Sequence, residues 1–496
     1  MATVVSFDFG TSSLKVAVSN STGYVLSETN REYGFMQQNA DWAEQDPVEM
    51  WNAAGDACRE ALVTCGFSAA NVDSVIIVAP WKAVIPVSAN DEVMANAIIW
   101  LDGRAGSEAR EISHRYHIAE LSGQAYWPRL LWLRNHRPAI WQEATWLMGM
   151  ATYLKWRATG QIVTDPSDNC FREPERPLAG YGERLAQDFG LATDAHKFAP
   201  VRACTEIIGE LTQDAANHLG LAPGTLVVNG FGDLPAVTLG ATGFSDGATH
   251  VYLGTSSWLT VVSHSDDNLG AALSFTLDNA VHGEVFPLQT GALAYDWITN
   301  QVYRDLGSMQ ASEYHCEINR QVAQIPAGSE NLLATHWLAG ELPPLAKSAK
   351  GVFINLTARH DRRHMVRAVM ESVCYTHRRV VEKLSEQHGI APTELVVVGG
   401  GALNDVWMQM FADVIKVDIV VPDGARHAGT RGAKLCADHA LGGAEALPTG
   451  DLGNASGRRF VPNPENSNEY DRMYGLYLKI FPSLKSLFCE LNDTEG

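Results

Sequence analysis

The chain contains two short turns of glycine and hydroxyl residues, Gly10-Thr11-Ser12-Ser13 and Gly254-Thr255-Ser256-Ser257. Glycine lets the backbone approach a ligand closely, and such a turn can direct several N–H and O–H groups toward one point. That arrangement binds an anion without positively charged side chains. One turn of this kind is also typical of an ordinary tight hairpin. Its repetition in both halves of the chain favours a ligand with several phosphates, such as a nucleoside triphosphate.

Charged residues stand beside the first turn and at the end of a later strand. Asp8 directly precedes the turn, where a carboxylate could orient a hydrated Mg²⁺ ion. Lys15 follows on the returning strand and could contact a phosphate. Asp233 follows a predicted strand within Gly230-Phe231-Gly232-Asp233, so its carboxylate could accept a proton from an alcohol. Asp233 could equally cap a helix that starts near Pro235, and the two roles are compatible.

A third glycine-rich segment, Gly399-Gly400-Gly401-Ala402-Leu403-Asn404, lies between a predicted strand and a predicted helix. Without side chains the backbone there could lie against a flat ligand such as adenine. The segment is not a Gly-x-Gly-x-x-Gly dinucleotide fingerprint. A simple strand-to-helix turn explains it as well.

The elements that must position these residues follow a repeated order. Alternating and β-branched residues predict strands at 3–9, 14–19 and 24–28, and again at 250–253 and 258–262 around the second turn. The repeat suggests two halves of related architecture, divided near 240–248. Further strands are predicted at 74–79, 85–88, 97–100, 226–231, 395–398 and 417–421. Helices are predicted at 47–65, across a tryptophan-rich stretch at 104–160, and at 362–388, 404–415, 431–440 and 469–487.

Composition limits the classes of function. With 496 residues, 46% hydrophobic and 19% charged, the chain is long enough for two large globular domains. The net charge of −20 argues against binding to nucleic acid or to an anionic membrane. The eight cysteines form no Cys-x-x-Cys pair, which is typical of reduced thiols in a cytosol-like compartment. The N-terminus does not read as a secretion signal, and no run of apolar residues is long enough to span a membrane, so a cytoplasmic protein is expected.

Together these motifs resemble the FGGY carbohydrate kinases of the actin-like ATPase superfamily, in the right order along nearly the whole chain. Two positions depart from the usual pattern: Arg129 stands where lysine is usual, and Asn355 stands where glycine is usual. The segments that carry the resemblance are 8–15, 41–47 with Trp51, 98–105, 129–133, Asp233, 254–256, 351–356 with 364–371, and 399–404 with Trp407, Gln409 and Asp413.

The resemblance implies an α/β protein with two actin-like (ribonuclease H-like) domains, each with a mixed five-stranded sheet, flanking an ATP cleft. The implied division is an N-terminal domain at 1–244, a C-terminal nucleotide-binding domain at 245–443, and a connection with a closing helix at 444–496. The implied substrates are ATP, with Mg²⁺, and a small sugar; a homodimer is left open. The implied phosphate ligands are Gly10, Thr11, Ser12, Ser13, Lys15, Gly254, Thr255 and Ser256. The adenosine would be bordered by Gly400, Gly401 and Asn404. The sugar would be surrounded by Trp81, Lys82, Trp100, Asp102 and Asp233. The metal would be bracketed by Asp8 and Asp233, and Asp233 would also be the catalytic base.

Departures from the related xylulokinases lie where the sugar would bind. Those enzymes carry Gln-Met-His-Gly where this chain has Ala79-Pro80-Trp81-Lys82-Ala83, and asparagine where this chain has Leu234. A site without those polar groups should bind xylulose less well, so we expect a pentulose or similar polyol, with a sugar acid or another substrate as the alternative. Lys82 could contact a substrate carboxylate or hydroxyl, point to solvent, or pair with a nearby acid.

Two non-kinase interpretations fit less well. Sugar-kinase relatives that act as repressors carry a basic DNA-binding segment before the first phosphate hairpin, whereas this chain is acidic and starts at that hairpin. Actin-like assembly proteins and chaperones have no need for an aspartate at the sugar position.

Overall fold

The computed structural model describes residues 2–492, apart from 38, 40, 119, 120, 266, 267, 342–347, 444–446, 448 and 450–456. The chain divides into two compact units. The first unit comprises Met1–Phe244, Leu273–Gly283 and Ala428–Gly450, and the second comprises Ser245–Ala272, Glu284–His427 and Asp451–Gly496. The chain therefore passes between the units more often than a division at 244 and 443 implies. The segment 444–496, predicted as a connection with a closing helix, lies partly outside the described residues.

The strands up to residue 244 form one large sheet and two short ribbons. They are β1 (Val4–Phe9), β2 (Ser13–Ser19), β3 (Val25–Glu32), β4 (Glu44–Gln45), β5 (Ser74–Val78), β6 (Ile85–Ser88), β7 (Ala97–Ile98), β8 (Ala144–Met148), β9 (Ile207–Glu210) and β10 (Leu226–Val228). The large sheet has six strands in the order β3-β2-β1-β5-β10-β9, and the ribbons pair β4 with β7 and β6 with β8.

The helices of the same stretch include a first helix, which packs against β2 and β3 and carries clear start and stop signals. They are α1 (Pro47–Cys65), α2 (Gly106–Tyr116), α3 (Tyr126–His136), α4 (Pro138–Glu143), α5 (Met150–Thr159), α6 (Gly182–Asp188), α7 (Gln213–Leu219) and α8 (Asp233–Ala241). In α1 the Asp46 side chain accepts hydrogen bonds from the first-turn amides, Pro47 occupies the first position, and Gly66 ends the helix in the left-handed conformation. The predicted boundaries of this helix are confirmed.

The second half of the chain repeats the architecture with a larger sheet. Its strands are β11 (Thr249–Leu253), β12 (Ser257–Ser263), β13 (Leu273–Thr276), β14 (His282–Leu288), β15 (Leu333–Ala334), β16 (Phe353–Ile354), β17 (Glu394–Val398), β18 (Asp418–Pro422) and β19 (Gly457–Phe460). The sheet has seven strands in the order β13-β14-β12-β11-β17-β18-β19. The helices in this half of the chain are α9 (Ala292–Val302), α10 (Ala311–Val322), α11 (Arg362–His388), α12 (Asp405–Ile415), α13 (Ala428–Leu441), α14 (Pro464–Tyr477) and α15 (Ile480–Asn492).

Three expectations about these elements were wrong. The sheets have six and seven strands instead of five each. The stretch 104–160 is not helical throughout, because β8 interrupts it and Trp146 pairs with Val87 on β6. The closing segment is two helices, because Pro482 is tolerated in the first turn of α15 but would break the interior of one continuous helix.

Two glycines allow close packing of the helix that begins with Asp233. A Cβ at Gly240 on α8 would overlap the carbonyl of Ala428, and one at Gly432 on α13 would overlap the carbonyl of Ala236. The backbones of α8 and α13 therefore touch, which fixes the position of α8 within the first unit.

Candidate active site

The carboxyl ends of three parallel strands in the first unit meet at one edge of the six-stranded sheet. Asp8 near the end of β1 lies opposite Val78 at the end of β5. Beyond β5 and β10, Ala79 pairs with Gly232 in an isolated parallel bridge. Ligands of open α/β sheets bind at such edges. The topology thus places Asp8, the segment after Ala79, and Asp233 side by side.

The first glycine-hydroxyl turn is held by side chains from outside the hairpin. Gly10 N–H donates to the carbonyl of Ser13 at 2.8 Å. The Tyr33 hydroxyl donates to the carbonyl of Gly10 at 2.7 Å, and the Gln45 amide donates to the carbonyl of Thr11 at 2.7 Å. Trp100, expected at the sugar, donates its indole N–H to Oγ1 of Thr11 at 3.0 Å. Trp100 therefore supports the first glycine-hydroxyl turn.

Asp233 begins α8 and carries a perturbed carboxyl. The expectation that it caps the helix was wrong by one position, because Gly232 is the cap and Asp233 is the first helical residue. Its N–H donates to the carbonyl of Ala79 at 3.2 Å, and its Oδ1 accepts from the N–H of Leu234 at 2.9 Å. Burial, together with the negative charge of Asp8, raises the pKa of Asp233 to about 7. A carboxylate with that pKa is suited to accept a proton near neutral pH.

Asp8 has space for its carboxylate at the start of α13. A Cβ at Gly429 would overlap Oδ2 of Asp8, so only glycine leaves that space open. Lys15 lies directly opposite Asp8 in the register of β1 and β2. Among the described residues no group of three or more His, Cys, Asp and Glu side chains could hold a metal ion.

Lys82 lies beside the site but is already paired. Its ammonium nitrogen is 3.2 Å from Oε1 of Glu175 and 4.1 Å from the centre of the Trp81 ring. Its backbone is left-handed with φ 64°, and its N–H donates to Oδ1 of Asp168 at 2.8 Å. Of the three alternatives for Lys82, the structure has the pair with a nearby acid. Burial by itself would raise the pKa of Glu175. The Lys82 ammonium and the N–H of Tyr126 together lower this pKa by more than burial raises it, so the net shift is downward.

Asp168 is a buried acid that the sequence motifs did not single out. In the described part of the chain its Oδ2 has no hydrogen-bond partner and packs against the backbone of Gly149, where a Cβ would overlap it. Burial, followed by the charge of Asp165, raises the pKa of Asp168 to about 8. Asp168 and Glu175 lie in an irregular segment without hydrophobic periodicity, so only their partner in space, Lys82, reveals them.

Asp102, expected at the sugar, is engaged within its own motif. Its Oδ2 accepts from the N–H of Ala43 at 2.6 Å, and the Arg104 guanidinium donates to both carboxylate oxygens at 2.6–2.9 Å. Arg104 also pairs with Glu44 at 2.7 Å and stacks on the Trp42 ring at 3.7 Å. The side chain of Asp102 is completely buried. The structure thus joins the two motifs at 41–47 and 98–105 into one cluster, which contacts Thr11 of the first turn through Gln45 and Trp100.

The second unit positions the other glycine-rich segments. Gly254 N–H donates to the carbonyl of Ser256 at 3.0 Å, and Gly291 N–H donates to the carbonyl of Thr255 at 2.9 Å. The Ser257 hydroxyl donates to the carbonyl of Tyr252 at 2.7 Å and lies 2.8 Å from Nε2 of His377. The hairpin is therefore anchored on both sides.

The later glycine segment begins in a conformation that requires glycine. Gly399 has φ 98°, and a Cβ there would lie 2.6 Å from the carbonyl oxygen of Leu253. Gly400 has open space around it. Asn404 caps α12 by accepting the N–H of Trp407 at 3.2 Å and donates to Oδ1 of Asn319 at 2.9 Å. The amide of Asn404 is thus occupied at both ends.

Comparison with known proteins covers almost the whole chain. The family model for the N-terminal domain of the FGGY family of carbohydrate kinases matches residues 3–240, and that for its C-terminal domain matches residues 250–441. The chain belongs to the FGGY family of carbohydrate kinases. It is therefore a carbohydrate kinase, an enzyme that takes a phosphoryl group from ATP. The resemblance found in the sequence is confirmed.

The relatives differ from one another in the sugar that their names give. The chain is 25% identical over 512 residues to the xylulose kinase of Bacillus subtilis, with 98% of each chain covered. It is 23% identical over 507 residues to the gluconokinase of the same organism, covering 99% of this chain and 98% of the relative. Its fold is similar to the crystal structure of ligand-bound xylulose kinase from Lactobacillus acidophilus, with a TM-score of 0.83, 20% identity, and coverage of 99% and 100%. The expected α/β class with two actin-like domains is confirmed. In the described residues no helix is long and apolar enough to cross a bilayer.

Proposed function

We propose that this kinase transfers the γ-phosphoryl group of ATP to a hydroxyl of a pentulose or related neutral polyol, with Asp233 as the general base. The observation that supports this most directly is the position and pKa of the Asp233 carboxyl. It lies where the carboxyl ends of the parallel strands meet, and burial and the charge of Asp8 raise its pKa to about 7. A base whose pKa lies near the working pH transfers a proton most effectively.

In the proposed reaction the sugar hydroxyl oxygen bonds to the γ-phosphorus while the bond from that phosphorus to the bridging oxygen of ADP breaks. Asp233 orients the hydroxyl and takes its proton late, because the transfer is largely dissociative. Most of the catalysis then comes from positioning and from neutralising charge. The proposal assigns phosphate binding to the turns at 10–13 and 254–256 with Lys15, and adenosine binding to Gly400, Gly401 and Asn404. In the described chain the N–H groups of Thr11 and Ser12 donate to no protein acceptor, which supports the role of the first turn.

Asp8 and Asp233 are suited to hold Mg²⁺. Magnesium prefers oxygen ligands and usually keeps several waters while it is bound by one or two carboxylates and by substrate phosphates. Gly429 lets the Asp8 carboxylate lie against the start of α13, which fixes the position from which it would hold the ion. When bound, the ion would neutralise charge on the phosphates during transfer.

The charge around Lys82 favours a neutral sugar over a sugar acid. Lys82 is a cation that acts electrostatically on Asp233, and its charge is compensated by Glu175 at 3.2 Å. A substrate carboxylate would have to displace Glu175 from that buried pair, which leaves a buried charge without a partner. The side chain of Leu234 cannot form a hydrogen bond, so the hydroxyl pattern of the substrate should differ from that of xylulose.

The test of the base is Asp233→Ala, with Asp91→Asn, an exposed loop carboxylate, as the matched control. We expect kcat to fall at least ~10³-fold with ATP affinity little changed, as for the loss of a base and orienting group. Near-normal turnover of Asp233→Ala would remove Asp233 from this role.

The test of the substrate class is ADP release over a panel of pentuloses, polyols and sugar acids. The proposal expects the highest kcat/KM on a neutral pentulose or polyol. A preference for gluconate or another sugar acid would overturn the argument from the Lys82–Glu175 pair. No sugar-dependent turnover on any member would favour a non-catalytic binding protein.

A further inference from the structure

The turn that delivers Asp233 is fixed at both ends by buried polar side chains. It runs from Asn229, which follows β10, to Gly232, which precedes Asp233. At its far end the N–H of Gly232 donates to the hydroxyl of Ser167 at 2.8 Å. At its near end Oδ1 of Asn229 accepts from the ammonium of Lys155 at 2.7 Å. The two anchors come from different elements, a short 3-10 helix (Pro166–Asp168) and α5.

One carboxylate joins these two anchors. Oδ1 of Asp165 accepts from the Ser167 hydroxyl at 2.5 Å and from its N–H at 3.0 Å. Oδ2 of Asp165 lies 3.4 Å from the ammonium of Lys155. The result is a continuous hydrogen-bonded chain from Asn229 through Lys155, Asp165 and Ser167 to Gly232.

The burial of this chain sets it apart from an ordinary surface network. Lys155, Asp165 and Asn229 are completely inaccessible to solvent, and Ser167 is 4% accessible. Burying charges carries a desolvation cost that an apolar core would avoid, so an ion pair at this position is weak evidence for a contribution to stability. A fully satisfied buried network does fix geometry tightly.

We propose that Lys155, Asp165 and Ser167 are positioning residues for phosphoryl transfer, which hold the 229–232 turn so that Asp233 meets the sugar hydroxyl. The inference rests on the proposed role of Asp233 as the base. A displacement of about 1 Å of a catalytic group can cost on the order of 10²-fold in rate. The network therefore acts on kcat through Asp233 and leaves the binding of ATP and sugar nearly unchanged.

The primary variant is Ser167→Ala, which removes the acceptor for the Gly232 N–H and leaves both charges in place. We expect a fall in kcat of about 10- to 100-fold, with KM for ATP and for the sugar within about 3-fold of wild type. Ser167→Thr keeps the hydroxyl and should recover most of the rate. A cooperative thermal unfolding transition and unchanged far-UV circular dichroism establish that each variant is folded.

Lys155→Met tests the other end of the network, with Lys197→Met as its matched control. Lys197 is also a buried lysine of the first unit, but it donates to the backbone carbonyls of Trp141 and Ala144. Lys155→Met should lower kcat, and Lys197→Met should leave it within about 3-fold of wild type. Equal kcat losses in both variants would overturn the positioning role, because they would report general destabilisation.

A double-mutant cycle separates this inference from the proposed function. If Ser167 acts through Asp233, adding Ser167→Ala to Asp233→Ala should lower the residual rate no further. An inactive Asp233→Ala together with a folded Ser167→Ala of wild-type kcat overturns the positioning role alone. Full activity of Asp233→Ala overturns the proposal that Asp233 is the base, and with it the proposal that the network positions that base. A rise in KM without a change in kcat would also overturn the inference.

Discussion

Replacing Asp168 by asparagine should make the protein more stable than wild type at alkaline pH. The pKa of Asp168 rises from 3.8 to about 8 on folding because its carboxyl is buried beside Asp165. The folded state therefore favours the protonated form. Such a carboxyl contributes its full stability below the unfolded pKa of 3.8 and loses it as the pH rises through about 8. Asparagine is neutral at every pH and avoids that loss.

The size of the effect follows from the two pKa values. Between pH 5 and pH 8 the wild type should lose roughly 3–4 kcal/mol of unfolding free energy through this one group, at about 1.4 kcal/mol per pKa unit. Asparagine also preserves the acceptor for the N–H of Lys82, which Oδ1 of Asp168 now binds at 2.8 Å. The unfolding free energy of the variant relative to wild type should therefore rise by roughly 3–4 kcal/mol between pH 5 and pH 8. This corresponds to a relative shift in Tm on the order of 10 °C.

The assay is thermal unfolding of Asp168→Asn, of wild type and of an Asp91→Asn control at pH 5 and pH 8. Asp91 is exposed and has φ 64°, a conformation that asparagine tolerates well. The difference in Tm between Asp168→Asn and wild type should grow with pH, whereas that of the control should stay constant. Parallel Tm profiles for Asp168→Asn and wild type would refute the conclusion that Asp168 is protonated in the folded protein.

Two further substitutions test other parts of the structure. Gly429→Ala should reduce kcat/KM by at least ~10-fold, because the added methyl group would displace the Asp8 carboxylate. The control is Gly475→Ala, which is also within a helix but has open space around it, and it should keep wild-type activity. Equal activity of the two variants would contradict this account. His250→Leu should reduce the loss of stability on acidification. Burial lowers the pKa of His250 to about 3, so the wild type loses stability as the pH falls below the unfolded value of 6.5. Between pH 7 and pH 5 this group should account for about 2 kcal/mol, as measured by denaturant unfolding at each pH, and identical acid sensitivity of variant and wild type would contradict it.

Local sequence signals predicted the elements that hold the ATP side of the proposed site. The alternating strands around each Gly-Thr turn, and the start and stop residues of α1, specify their own conformations through φ preferences and capping. The boundaries of α11, at Arg362–His388, follow from the same kind of signal. The prediction failed at β8, where pairing with β6 overrides the local pattern.

The sequence by itself determined the family, the two glycine-hydroxyl turns and the position of Asp233, because each depends on residues adjacent in the chain. Only the tertiary structure decided what surrounds Asp233. Lys82 is paired with Glu175, Trp100 supports Thr11, and burial raises the pKa of Asp168 to about 8. These outcomes depend on desolvation and on partners distant in sequence, and both are fixed only when the chain packs.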